Sequence, residues 1–299
     1  MNLIMSDYEF LRRLLKERSG LMLGSDKHYL VESRLLPVAR RHGVAGITGL
    51  MDKIRQPGHE DAIVEVVEAM ATNESLFFRD KIPFDHFRET ILPHLLAARA
   101  QQRRIRIWCA AASTGQEPYS LAMALKDLGP ALAGWRVEIL ATDFALDVLE
   151  KAKAGIYSQF EVQRGLPIQM LVKYFTQVGE MWQIAPEIRA MVQFKPFNLL
   201  HNCNHLGPFD VVFCRNVLIY FDQQTKIEVL DRLAHVIVSD GYLVLGAAET
   251  VIGFTSSLRP IPEKRALYGP NPSHARAVAG APRVAAASAP RVAAASAPR

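Results

Sequence analysis

Apolar residues along the chain change period several times, and those changes divide it. From Tyr8 to Arg18 they recur at helical spacing, with Phe10, Leu11, Leu14 and Leu15 on one face and Arg12, Arg13, Lys16 and Arg18 on the other; Gly20 and Gly24 then interrupt. The same period predicts helices over about Tyr29 to His42, Ile47 to Ile54, Glu60 to Met70 and Pro83 to Ala100. At Arg104 the period shortens. Ile105, Ile107 and Trp108 form a strand-type run, and the residues after it, Ala110-Ala111-Ala112-Ser113-Thr114-Gly115, are all small. Tyr119, Leu121, Ala122 and Leu125 then return to helical spacing, with Pro118 in the first turn, where its missing N–H does no harm.

Strand, small-residue loop and helix in that order resemble the first unit of a nucleotide-binding α/β domain. The next strand, Val137 to Thr142, ends in Asp143, at the distance where such a unit sets an acid against ribose hydroxyls. A phosphate cradle would need several glycines and often a lysine, whereas this loop has one glycine and no lysine. A nucleoside-type ligand without a pyrophosphate fits, although an Ala-rich turn with Asp143 as a helix N-cap accounts for the same residues.

Phe144 to Ala154 forms the next helix, stopped by Gly155. Strict alternation lapses from Ile156 to Met191: Leu171, Val172, Tyr174 and Phe175 suggest a helix, and Trp182 to Ile184 with Ile188 to Phe194 suggest antiparallel strands around Pro186. Strands resume at Val192 to Lys195 and Phe209 to Cys214. Asn198 and Asn216 fall just beyond them, where ligands bind in open α/β sheets and where Asn also serves in turns. Thr225 to Val238 reads as helix, Tyr242 to Leu245 as a fifth strand, and Arg265 to Tyr268 as a final edge strand. After Pro270 an eight-residue Ala/Pro/Arg repeat occurs twice, and it has too little apolar surface to fold.

Four sequence blocks resemble the CheR-type chemoreceptor glutamate methyltransferases: Thr-Asn-Glu-Ser-Leu-Phe-Phe-Arg at 72 to 79, Ala-Ser-Thr-Gly-Gln-Glu-Pro-Tyr-Ser at 112 to 120, Ala-Thr-Asp at 141 to 143 and Phe-Cys-Arg-Asn-Val-Leu-Ile-Tyr-Phe at 213 to 221. The resemblance implies a Rossmann-like α/β methyltransferase domain over 76–270, an all-α domain over 1–75, a small antiparallel subdomain inserted at 156–191, and a disordered tail over 271–299. It also implies S-adenosylmethionine as cofactor, with S-adenosylhomocysteine as product. Asn73, Ser75, Arg79, Glu117, Asp143, Asn198, Leu199, Arg215 and Asn216 would surround the cofactor, and Arg79 and Tyr220 would stand nearest the transferred methyl group. Gln116 stands where many members have a second Glu. The segment Val178 to Pro186 is shorter than in members that dock on a receptor's C-terminal pentapeptide, so no such tether is expected.

Charge changes the picture at one point. The net charge of +5 suggests nucleic acid, but Arg276, Arg283, Arg291 and Arg299 of the tail supply four of those charges without any acid, which leaves +1 for residues 1–270. The folded part is nearly neutral, and no nucleic-acid partner is expected. Between residues 12 and 41, however, eight Lys or Arg face Glu17, Asp26 and Glu32. Charge runs of this kind are usually solvated helix faces. With the resemblance, Arg34, Arg40 and Arg41 become candidates for binding the acidic methylation helices of a chemoreceptor. Cys109, Cys203 and Cys214 form no C-x-x-C pair and read as reduced thiols; the His201 to His205 fragment lacks an evident fourth ligand, so no metal is expected. No apolar run approaches membrane-spanning length, so a cytoplasmic enzyme without membrane insertion is expected; a monomer is expected as well. The open alternatives are the same chemistry on a receptor of a non-motility pathway, or a non-catalytic S-adenosylmethionine-binding protein.

Overall fold

The computed structural model describes residues 5–273. Four helices come first: α1 (Met5–Ser19), α2 (His28–Arg41), α3 (Gly46–Arg55) and α4 (Glu60–Met70). Their apolar faces meet in one cluster that includes Leu11, Leu15, Val31, Leu35, Leu50, Met51 and Val66, each essentially without solvent contact. Gly20 ends α1 in the left-handed region (φ 77°), and a Cβ there would come within 2.9 Å of the Phe221 ring, so glycine lets the end of α1 approach the second domain.

The predicted helix over 83–100 is three pieces: α5 (Ile82–His86), a π-helical turn (Phe87–Ile91) and α6 (Leu92–Ala98). Pro93 cannot donate to the carbonyl of Glu89, and Leu92 N–H bonds Phe87 O instead, five residues back.

The remaining elements are β1 (Arg104–Ala110), α7 (Gln116–Asp127), β2 (Arg136–Asp143), α8 (Leu146–Ala154), β3 (Ile156–Ser158), α9 (Gln159–Gln163), α10 (Ile168–Tyr174), β4 (Phe175–Val178), β5 (Met181–Ile184), α11 (Pro186–Arg189), β6 (Val192–Pro196), β7 (Phe209–Cys214), α12 (Gln223–Val236), β8 (Ile237–Leu245), β9 (Leu258–Pro260) and β10 (Leu267–Pro270). The large sheet has the order β6-β2-β1-β7-β8-β10-β9. Its first five strands are parallel, and β10 and β9 are antiparallel. The chain leaves β1 toward β2 on one side and later returns to β7 on the other. That reversal makes the carboxyl ends of β1, β2 and β7 the place where a crevice opens. Opposite this end, Arg99 after α6 bonds Asp210 of β7 (2.8 Å) and Asp240 of β8 (2.6 Å), fixing the helix to the sheet.

Two strand readings need correction. The partners of the 181–184 strand are Phe175–Val178 and Ile156–Ser158, and Ile188 lies in a short helix begun by Pro186, whose fixed φ suits the first helical turn. Strand β10 is not the edge, because Leu258–Pro260 pairs outside it. The inserted unit is a three-stranded antiparallel sheet, β3-β5-β4.

The Ala/Pro/Arg repeat of the tail lies outside the described residues. The packed chain extends past Pro270, since Asn271 bonds Ser257 O through its backbone N–H (2.8 Å) and Ser256 O through its side chain (2.9 Å). A chain ended after Ser273 should therefore melt at the full-length temperature, and one ended at Pro270 should melt a few degrees lower. Calorimetric melting of both truncations checks this.

Candidate functional site

A pocket opens at the carboxyl ends of β1, β2, β6 and β7, and the four blocks of the sequence converge on it. Its lining includes Asn73, Ser75, Arg79, Glu117, Asp143, Asn198, Leu199, Arg215, Asn216 and Tyr220, together with Ser19 at the end of α1 and Leu21 just after it. Every predicted cofactor residue is thus brought to one cavity. The floor is the small-residue loop after β1, where Ala111 (φ 61°) and Ser113 (φ 50°) take left-handed conformations. Ser113 is held there by its N–H to Asp143 Oδ2 (2.8 Å) and its hydroxyl to Asn73 O (2.7 Å), which joins three blocks in one chain of bonds.

Asp143 ends β2 and is buried. Besides Ser113, it accepts the N–H of Ala145 at Oδ1 (3.1 Å), so the turn role and the pocket position coexist in one side chain. Each carboxylate oxygen has further acceptor capacity toward the cavity. Burial pushes its pKa up, opposed by the N–H groups of Ala145, Ser113 and Phe144. Glu117, in the first turn of α7, is likewise pushed up by burial and pulled down by the neighbouring Arg215.

Arg215 follows β7 with its side chain 2% exposed. It donates to Glu117 (2.7 Å), to Asp80 (2.8 Å) and to the carbonyl of Arg79 (2.7 Å). Glu117 therefore has a partner within the protein, and Arg215 fixes the backbone from which Arg79 extends. The segment around Arg79 is wedged from both sides. Phe78 N–H bonds Ser120 Oγ of α7 (2.9 Å), and a Cβ on Gly165 of the inserted unit would stand 2.1 Å from Phe77 O. Phe77 is fully buried edge-on to Tyr157 and Phe175. Arg79 itself bonds Glu74 O (3.0 Å), and Tyr220 closes a 3₁₀ turn whose carbonyl accepts Met22 N–H (2.9 Å).

Asn198 spends its amide on both domains: Nδ2 donates to Arg18 O (2.7 Å) and Oδ1 accepts Leu200 N–H (3.0 Å). Arg34 departs from the expected exposed basic face. Its guanidinium bonds the carbonyls of Met70 (2.6 Å) and Ala71 (2.8 Å), satisfying carbonyl groups at the end of α4 and anchoring the approach to Thr72 and Asn73. Arg41 pairs with Glu65, while Arg40 and Arg13 are exposed and enter no ion pair among the described residues. Cys109, Cys203 and Cys214 are all buried free thiols, and no group of three or more metal-ligating side chains occurs among the described residues.

Glu249 escaped the sequence reading. Its carboxylate accepts four backbone N–H groups at the end of β8 and the loop after β7. Only the sequence Gly246-Ala-Ala-Glu249, an acid three residues past a strand-end glycine, hints at it.

The comparisons agree with this geometry. Residues 73–267 match the family described as CheR methyltransferase, SAM binding domain, and residues 6–71 match CheR methyltransferase, all-alpha domain. Similar proteins include chemotaxis protein methyltransferase 1 of Pseudomonas aeruginosa, 43% identical over 252 residues that cover 82% of this chain and 90% of that one. Chemotaxis protein methyltransferase Cher2 of Pseudomonas putida is 40% identical (83% and 91% covered), and chemotaxis protein methyltransferase 1 of Vibrio cholerae is 36% identical (85% and 93% covered). Fold and pocket together define an S-adenosylmethionine-dependent methyltransferase. The chain belongs to the CheR methyltransferase family.

The residues present fit that cofactor. A loop of small residues admits a ligand against backbone, a buried carboxylate ends β2 where ribose hydroxyls can donate, and acidic side chains suit a ligand that carries positive charge. Replacing Asp143 by Ala should weaken cofactor binding more than tenfold, on the order of 1.5–3 kcal/mol for a charge-assisted bond, and should also lower the melting temperature, because the Ser113 and Ala145 contacts go with it. Calorimetric titration with S-adenosylhomocysteine checks the first and a thermal melt the second. A second expectation concerns pH. Burial raises both Asp143 and Glu117, so as pH falls they take up protons earlier than ordinary carboxylates, and only the ionised forms keep full acceptor strength and negative charge. Affinity should fall as the pH drops through that raised range, measured by titrations from pH 7.5 downward.

Proposed function

We propose that the chain transfers a methyl group to glutamate side-chain carboxylates of methyl-accepting chemotaxis receptors, giving methyl esters. The observation that carries the reading is a single pocket that gathers residues of all four sequence blocks, on a chain whose relatives are named chemotaxis protein methyltransferases. S-adenosylmethionine supplies a methyl carbon already activated by its sulfonium. A glutamate, with a reference pKa of about 4.3, is ionised near neutral pH and needs no general base. The protein's work is then alignment and exclusion of water.

Asp143 would take the ribose, and Asn73, Ser75, Asn198, Leu199 and Asn216 would line the rest of the ligand. Glu117 supports the positive end of the ligand through a carboxylate shared with Arg215. Arg79 and Tyr220, which also line the pocket, are the groups assigned to orient the incoming carboxylate. Arg79 is suited to this because its backbone is held by Arg215 while its guanidinium stays partly accessible.

Recognition of the receptor is assigned to charge. The strands β4 and β5 are joined by only Gly179 and Glu180, since Val178 and Met181 are cross-strand partners. This tight turn supports a mode without a pentapeptide tether. The acidic methylation helices would instead meet Arg40 and Arg41 on α2; Arg34 serves that surface only indirectly, because its guanidinium caps α4. Such contacts act mostly on encounter rate and weaken with salt.

Three measurements test the reading. Incubation with methyl-labelled S-adenosylmethionine and receptor-bearing membranes should give label released as methanol by mild base, and base-stable label would contradict a carboxyl ester. The variant carrying Arg40→Glu and Arg41→Glu should methylate receptors several-fold more slowly at low salt with unchanged cofactor affinity. An isolated receptor C-terminal pentapeptide should show no binding at micromolar concentration; binding there, or a charge-reversed enzyme of normal rate, would refute this mode of recognition.

A further inference from the structure

Glu249 is 8% exposed and uses both carboxylate oxygens twice. Oε1 accepts the N–H groups of Val217 (3.0 Å) and Leu218 (2.7 Å); Oε2 accepts those of Asn216 (2.8 Å) and Gly246 (2.7 Å). Three of the four donors are consecutive. Asn216 sits in the left-handed region (φ 58°), and such a turn points successive N–H groups into one concavity that attracts an anion. Here the chain supplies the anion from the end of β8. The clamped segment lies between Arg215, which holds Glu117 and the Arg79 carbonyl, and the 3₁₀ turn that ends in Tyr220.

We propose that Glu249 is the positioning residue of the cofactor site: by binding the four N–H groups it sets Arg215, Asn216 and Tyr220 at the distances the pocket requires. Its side chain is not among the residues lining the cavity, so it acts through the loop it binds. The ionised carboxylate is specific to the task, because an amide of the same shape offers one acceptor oxygen and turns an N–H₂ group against two donors. Gly246 belongs to the same device. A Cβ there would stand 2.7 Å from Glu249 Oε2, 2.9 Å from Asn216 Nδ2 and 3.0 Å from Asn216 N, so only glycine lets the carboxylate reach the loop.

The test uses the full chain and S-adenosylhomocysteine. Glu249→Gln should raise the dissociation constant tenfold or more while the protein still melts cooperatively. Gly246→Ala keeps the acid and displaces it, and should raise the constant to a similar degree. Leu243→Ala, a cavity in the same strand, should lower the melting temperature yet leave the constant within twofold. In the unaltered protein the amides of Asn216, Val217 and Leu218 should exchange with deuterium far more slowly than those of ordinary surface turns. A dissociation constant within twofold of the parent in either folded variant would overturn the proposal. So would an equal rise in Leu243→Ala, or rapid exchange at the three amides.

Discussion

A guanidinium buried to 2% exposure is costly to leave unpaired, and the pocket supplies acceptors to both terminal nitrogens of Arg215, while its Nε has none among the described residues. Arginine stays charged at any relevant pH, and its planar fork lets one side chain reach several acceptors. The acceptors come from two distant parts of the chain: Glu117 at the start of α7, and the Arg79 carbonyl with Asp80 on the approach to α5. Removing one partner of such a buried pair costs about 3–5 kcal/mol, so the two segments are held to each other through Arg215. The third block, at Asp143, joins through Ser113 and Asn73.

The same region collects the strained backbone. Nine non-glycine residues have positive φ among those described, and six of them, Phe78, Asp80, Lys81, Ala111, Ser113 and Asn216, lie in the loops that surround the pocket. Left-handed conformations at such residues persist only where neighbours enforce them. Here the enforcing contacts are Ser120 on Phe78, Asp143 on Ser113 and Glu249 on Asn216. The helical domain adds to the enforcement from outside, through Arg34 at the end of α4 and the carbonyl of Arg18 bound by Asn198.

Much of this was legible in the sequence because strands and helices announce themselves by period, and because Asp143, Asn198 and Asn216 stand at strand ends where α/β sheets bind ligands. The four helices of the first domain fall within a few residues of the periodic reading. What sequence reasoning missed depends on contacts between remote residues. Glu249 looked like one acid among many, since nothing local tells that the loop after Cys214 will aim three N–H groups at it. Arg34 looked like part of a basic face, because helical spacing gives its side but not the carbonyls at the end of α4 that lie within its reach. The strand partners of the inserted unit were misassigned because Phe175 continues the helical spacing of Leu171 and Tyr174, and only the tight turn at Gly179 selects the hairpin.

On the proposed reading, the crevice between Asp143, Glu117 and Arg215 would hold the cofactor without giving up the bonds that shape it. A crystal structure of the chain with S-adenosylhomocysteine tests this most directly. The ribose hydroxyls should lie within hydrogen-bond distance of Asp143, with Arg215 still bonded to Glu117 and to the Arg79 carbonyl. A ligand lying instead in the open cleft between α4 and β6, beside Glu60, Val64 and His201, or an Arg215 side chain swung away from Glu117, would contradict it.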